Sequence, residues 1–167
     1  MEDLFIEKIV PQRADASIYV KRLLLVLAFF LLVFLMLMLP SLASLWPLIF
    51  VGGGYAVYYV WTSMNLEHEY ILVNEILDID RIIAKRKRKR LIELTARDVE
   101  EAAPLSAEKL AHFRRASSLK LLDVSSRRPE AERYYLKCRH DGENMLIIMD
   151  YEERIFMGLR RYNPSAF

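Results

Sequence analysis

The sequence predicts an α+β membrane protein: a transmembrane helical hairpin near the N-terminus, then a sheet domain of six or seven strands closed by one C-terminal helix. Three observations carry this. No Asp, Glu, Lys, Arg or His occurs from Leu23 to Trp61, although 28% of the 167 residues are Asp, Glu, Lys or Arg. After Trp61 the chain breaks into short β-prone runs separated by turn dipeptides. The last apolar stripe, Tyr151, Ile155, Gly158/Leu159 and Tyr162, recurs at helical spacing and stops at Pro164.

Residues 1–22 read as a cytoplasmic segment. Leu4, Phe5, Ile6, Ile9 and Val10 are interspersed with Glu2, Asp3, Glu7 and Lys8, which suits a short amphipathic stretch on the membrane or against the soluble domain, ended by Pro11. The membrane hairpin occupies residues 23–61. Leu23–Leu39 is seventeen unbroken apolar residues, about 26 Å of helix and close to the hydrocarbon thickness. Residues 42–61 form the second span, after Pro40 and Ser41. A cleaved signal peptide is disfavoured, because some twenty residues precede Lys21-Arg22 and a second apolar run follows at once.

Lys21 and Arg22 flank the first span, with Lys8 and Arg13 upstream of them, the inter-span loop is uncharged, and every other Lys and Arg follows Trp61. The positive-inside rule then puts both termini in the cytoplasm. Gly52 and Ala56 form a small-x-x-x-small pair, expected to pack within the hairpin or, alternatively, to form a dimer face. Neither span holds an ionisable group, which argues against an ion pathway.

Residues 65–167 read as one cytoplasmic domain. Glu69–Val73 is a strand, Asn74-Glu75 a turn, and Ile76–Ile83 a strand with Asp78 and Asp80 on one side. Arg90–Leu94 resumes as a strand, Thr95–Pro104 is a strand end or link, and Ser106–Ala116 a loop or short helix. Ser118–Val124 is a further strand. Glu132–His140 and Asn144–Met149 form a hairpin around Asp141-Gly142. Asp150 is the expected N-cap of the last helix, with Glu153 completing a capping box.

The stretch EYILVNEILDIDRIIAKRKRKRLIEL directly after a membrane hairpin, with DYEERIFMGLRRYNP at the end, resembles bacterial pleckstrin-homology (PH)-like membrane proteins. The whole chain is similar to a family of small two-span proteins of Gram-positive bacteria classed as a domain of unknown function. The resemblance implies a PH-like, partly open antiparallel β-barrel capped by a C-terminal α-helix, located at the bacterial cytoplasmic membrane. It implies no chemistry.

No catalytic constellation is legible. His68, His112 and His140 are dispersed, and Cys138-x-His140 supplies two soft ligands where a zinc site needs more. The glycine run lies inside an apolar span and is not a phosphate loop. No enzyme activity, metal or cofactor is expected. The single cysteine excludes an internal disulfide.

The distinctive feature is Lys85-Arg86-Lys87-Arg88-Lys89-Arg90. It lacks the interleaved aromatics of single-strand nucleic-acid binders, so nucleic acid is disfavoured. Two readings stand. The tract contacts anionic lipid headgroups, or it is a solvated strand turn in which one row of the run pairs with Asp78 and Asp80 and the other faces water. The expected function is a membrane-anchored binding or scaffold module whose partners are the bilayer and its anionic headgroups. The alternative is a protein-interaction subunit, either self-associating or held to a membrane protein in a transport or envelope complex.

Overall fold

The computed structural model describes residues 4–115 and 119–167, without the side chains of Pro40, Leu42 and Arg114. Met1–Asp3, the expected helix end at Ala116 and the expected strand start at Ser118 lie outside these. The chain forms two compact units. One joins the residues up to Arg13 to Glu67–Phe167; the other is Ala14–Leu66.

In the helical unit, α1 spans Ala16–Leu37, starting seven residues before the apolar run and including Lys21 and Arg22. The second helix, Ala43–Ser63, is continuous but irregular. It contains a single α turn, α2 (Trp46–Leu48), a π-helical stretch Ile49–Gly53, and α3 (Gly54–Ser63). Both helices are long and apolar enough to cross a membrane. Arg22 closes one end of the pair: its Nη2 donates to Asn65 Oδ1 at 2.6 Å and its guanidinium stacks over the Trp61 ring.

The globular unit is two four-stranded sheets. The first has the order β1-β2-β3-β4, with β1 Phe5–Pro11, β2 Leu66–Val73, β3 Ile76–Ile83 and β4 Lys87–Thr95. The second has the order β5-β7-β8-β6, with β5 Val99–Pro104, β6 Lys120–Asp123, β7 Arg133–His140 and β8 Glu143–Asp150. The PH-like, α+β architecture expected from the sequence is present, and four departures from the expected detail have physical causes.

First, residues 5–11 are a strand of the sheet, not a separate amphipathic segment. β1 pairs antiparallel with β2, from Phe5↔Val73 to Pro11↔Glu67. Ile6 and Val10 enter the core, and Leu4 and Asn74 exchange hydrogen bonds at the far end. A domain boundary at residue 65 therefore omits a core strand. Second, the barrel is not wholly antiparallel. β6 runs parallel to β8, because α4 (Ala107–Arg115) carries the chain from β5 across the sheet to β6, and a helical crossover returns a strand in its original direction. Third, Thr95 and Asp98 form the two-way cap of a short 3₁₀ turn, Ala96–Asp98, and what read as a link continues as β5. Fourth, the last helix, α5, is Glu153–Tyr162 with Glu152 as N-cap and no side-chain cap bond. Asp150 instead ends β8, where its buried Oδ1 accepts from Ser126 N at 3.1 Å.

The core lies between the sheets: Tyr70, Leu72, Leu77, Ile79, Ile92 and Leu94 from the first, Leu136, Cys138, Met145, Ile147 and Met149 from the second, with Ile155, Phe156 and Leu159 of α5. Burying each such side chain contributes about 1.5–3 kcal/mol. Asn163 Nδ2 ties the end of α5 to the corner between β4 and β5, donating to Ala96 O and Val99 O. The opposite face of the second sheet is covered by Leu105, Leu110 and Phe113 over Tyr135, Leu146 and Ile148. The Asp141-Gly142 turn is as expected, with φ of 51° and 81°, the conformation of a type I′ hairpin.

Candidate functional site

Only part of the basic run is a turn. Arg86 N donates to Ile83 O at 3.0 Å, with Ala84 and Lys85 both left-handed at φ 55° and 56°. β4 begins at Lys87, so Lys87–Arg90 are strand residues. Two consecutive non-glycine residues in this region store backbone strain, a feature that clusters at ligand clamps and switch regions.

A β-bulge decides which way the run faces. Ile79 pairs with Ile92, but Asp80 pairs with Arg90, leaving Leu91 as an extra residue. Without it, Arg88 and Arg90 would share the core-facing side with Ile92 and Leu94. With it they turn to the outer face and meet the carboxylates of β2 and β3. Arg88 Nη2 lies 2.8 Å from Glu69 Oε1 and its Nε 4.0 Å from Asp80 Oδ2. Arg90 lies 3.3 Å from Asp78 Oδ2, 4.0 Å from Asp80 Oδ1 and 2.5 Å from Glu93 Oε2. Burial pushes the Glu69 and Asp78 carboxyls above the usual range, against the pull of Arg88 and Arg90 respectively. Lys85 is more loosely held, 3.9 Å from Glu67 Oε1.

Lys87 and Lys89 fall on the other side, opposite Ile83 and Arg81. Both lysines are exposed, and among the described residues neither they nor Arg81 has a carboxylate within 4 Å.

The tract has a fixed place in the sheet. β3 ends and β4 starts beside the end of β1 and the start of β2. Ile9, Pro11 and Ile82 form the apolar lining of an open groove of about 470 Å³, rimmed by Glu67 and by Lys85 to Arg88. Pro11 and Glu67, paired across β1 and β2, flank the apolar helices in the chain. The basic turn is thus at the end of the sheet where the chain leaves for those helices and returns from them.

The remaining potential ligand side chains are dispersed. Cys138 is fully buried, its thiol pushed up to about 11 by burial. His140 Nε2 is 3.4 Å from Asp141 Oδ2. Glu100 pairs with Lys137 at 2.8 Å, and Glu101 accepts from the Tyr135 hydroxyl. Among the described residues no three His, Cys, Asp or Glu side chains gather as a metal site. Gly53, not Gly52, makes the close approach within the hairpin: a Cβ there would lie 2.8 Å from Phe29 Cε2, whereas one on Gly52 would meet nothing within 4 Å. Gly52 and Ala56 are both exposed.

His68, which the sequence offers only as one of three dispersed histidines, has a distinctive setting. It is 1% exposed, on the core side of β2 opposite Val10, and neither ring nitrogen has a partner. Burial first, then Arg81, lowers its pKa to about 4, so it is neutral at physiological pH. Its signal was weak because the flanking Glu67 and Glu69 make the segment look solvated.

Two facing sheets, a C-terminal capping helix and an open end carrying a charged hairpin define a PH-like domain. The chain belongs to the bacterial PH-like domain family DUF6106, whose description it matches over residues 2–167. No curated protein and no solved structure matches it.

Proposed function

We propose that this protein is a non-catalytic, membrane-anchored PH-like binding module whose basic turn rests against the anionic cytoplasmic leaflet. The observation that carries this is the position of the turn: Lys85 neighbours Glu67, and Glu67 pairs with Pro11, at the two points where the domain joins its apolar helices. A domain tethered there holds the turn near the headgroups. Within a Debye length, ~8–10 Å, each Lys or Arg is attracted by ~1 kcal/mol. The pairing of β1 with β2 supports an even number of crossings, because strands on either side of the apolar helices share one sheet. Lys21, Arg22 and the basic tract favour the cytoplasmic side of a bacterial inner membrane.

The test uses the full chain in lipid nanodiscs, with Ala84→Cys carrying an environment-sensitive dye; Cys138 is buried and stays unlabelled. Dye emission should shift when phosphatidylglycerol replaces part of the phosphatidylcholine, and the shift should vanish in high salt. Emission independent of lipid charge sinks the proposal.

A second reading, a subunit that self-associates or binds a membrane-protein partner, is favoured by the open face at Gly52 and Ala56. Crosslinking in native membranes should then give recurrent protein adducts that Gly52→Leu with Ala56→Leu removes; adducts that survive the pair exclude this face.

A further inference from the structure

The six basic residues are not equivalent. The outer row, Arg88 and Arg90, is neutralised by Glu69, Asp78, Asp80 and Glu93. On the opposite face, Arg81 lies directly across from Lys89, with Lys87 next along β4. Like charges directly opposite on paired strands repel, and among the described residues no acid pairs with either. Arg81 Nε is buried without a hydrogen-bond partner. Asp123 of β6 is engaged by Arg127 at 3.1 Å and by Ser125 Oγ at 2.7 Å. Three cations are therefore grouped on one face of the strand pair, and among the described residues none of them has a carboxylate within 4 Å.

We infer that Arg81, Lys87 and Lys89 form a site for the phosphate of an anionic lipid headgroup. A phosphate accepts several charge-assisted hydrogen bonds at once, and a guanidinium with one ammonium directly across the ladder and a second two residues along β4 suits that. The lipid source is argued from place: the trio is at the end of the sheet that bears Pro11 and Glu67, where the chain runs into its apolar helices. This rests on the membrane-facing reading above and sharpens it. It moves the lipid contact from the whole tract to one face and adds Arg81, which lies outside the tract.

The experiment is acylation footprinting of the full chain in nanodiscs with a water-soluble amine reagent, read by mass spectrometry. With phosphatidylglycerol present, Lys87 and Lys89 should be modified more slowly by about fivefold than in pure phosphatidylcholine. Lys120, on the second sheet, should be unchanged. Arg81→Gln should remove much of the protection, and inorganic phosphate added to phosphatidylcholine discs should not reproduce it. Protection of Lys85 without Lys87 and Lys89 overturns this inference and leaves the membrane-facing reading standing. Protection of none of the three overturns both. Protection by inorganic phosphate alone assigns the site to a soluble anion and overturns the lipid source. Full protection in Arg81→Gln removes Arg81 from the site.

Discussion

The guanidinium of Arg88, half exposed, reaches 2.8 Å to the carboxylate of Glu69, whose side chain is 0% exposed. A buried carboxylate needs a counter-charge, and here it comes from the basic run itself. Arg88→Ala should therefore destabilise the domain by ~1–3 kcal/mol, less than a fully buried pair because the arginine is solvated. Adding Glu69→Gln should recover part of the loss, since no charge then remains buried. Denaturant melts of the single and double variants measure the coupling; strict additivity refutes it.

His68 sets a pH response of definite sign. Its folded pKa of about 4 lies below the ordinary 6.5, so below pH 6.5 the unfolded chain takes up a proton that the folded chain refuses. Stability should fall between pH 6.5 and 4, by ~3 kcal/mol from this group. Glu69 and Asp78, raised, act oppositely: their contribution is present at low pH and lost as pH rises. The difference between wild type and His68→Leu isolates the histidine. That variant should be as stable or more so at pH 7.5, because two unpartnered nitrogens leave the core, and its difference from wild type should grow as pH drops. A difference independent of pH contradicts the assignment.

Gly158 lets α5 sit down on the sheet. A Cβ there would collide with Leu72 Cδ2 and crowd Leu4 Cδ2 at 3.0 Å, and Leu72 is fully buried. Gly158→Val should cost ~1–3 kcal/mol through overpacking. Faster hydrogen exchange in α5 and β1 would show it; unchanged exchange would mean the helix shifts freely.

The globular unit should be separable from the apolar helices only if β1 comes with it. Replacing Ala14–Leu66 by about four Gly/Ser residues, an ordinary hairpin loop length, should yield a soluble folded monomer, since Pro11 already pairs with Glu67. A chain starting at Glu67 should aggregate, having lost Ile6 and Val10 from the core. A folded protein from the shorter chain would show β1 to be dispensable.

In the helical unit, Gly53→Ala should loosen the pair against Phe29, while Gly52→Ala and Gly54→Ala, with nothing within 4 Å of the added carbon, should not. Disulfide trapping between cysteines placed across the two helices reports this as yield; equal yields in all three variants would remove Gly53 from the contact.

Local signals were legible. Asn74-Glu75 and Asp141-Gly142 turn where their sequences require it, and Asp78 and Asp80 do face basic residues of the returning strand. What escaped was non-local. Phe5–Pro11 shows no clean alternation, with Phe5-Ile6 and Ile9-Val10 adjacent, and its partner strand lies beyond two apolar helices. Leu91 gives no sign of being a bulge, because Lys and Arg alternate on both sides of any register. Both the arginine row's carboxylates and the lysine row's isolation depend on that one residue. Asp150 carries a real helix-start pattern, overridden by a buried backbone donor, Ser126 N, that no local window contains.

The split of the first sheet across the apolar helices has a consequence for biosynthesis. β1 leaves the ribosome first, but its neighbour β2 follows only after the intervening residues, roughly 3–11 s later at ordinary elongation rates. Until then Ile6 and Val10 have no sheet to join. With the apolar helices as the proposed membrane anchor, the domain can close only when the chain has entered the bilayer and come back to the side it left. On that proposal, completion of β1 on β2 is a built-in check on insertion: a hairpin that fails to return leaves an orphan strand, and the cell's proteases and chaperones meet an unfinished domain.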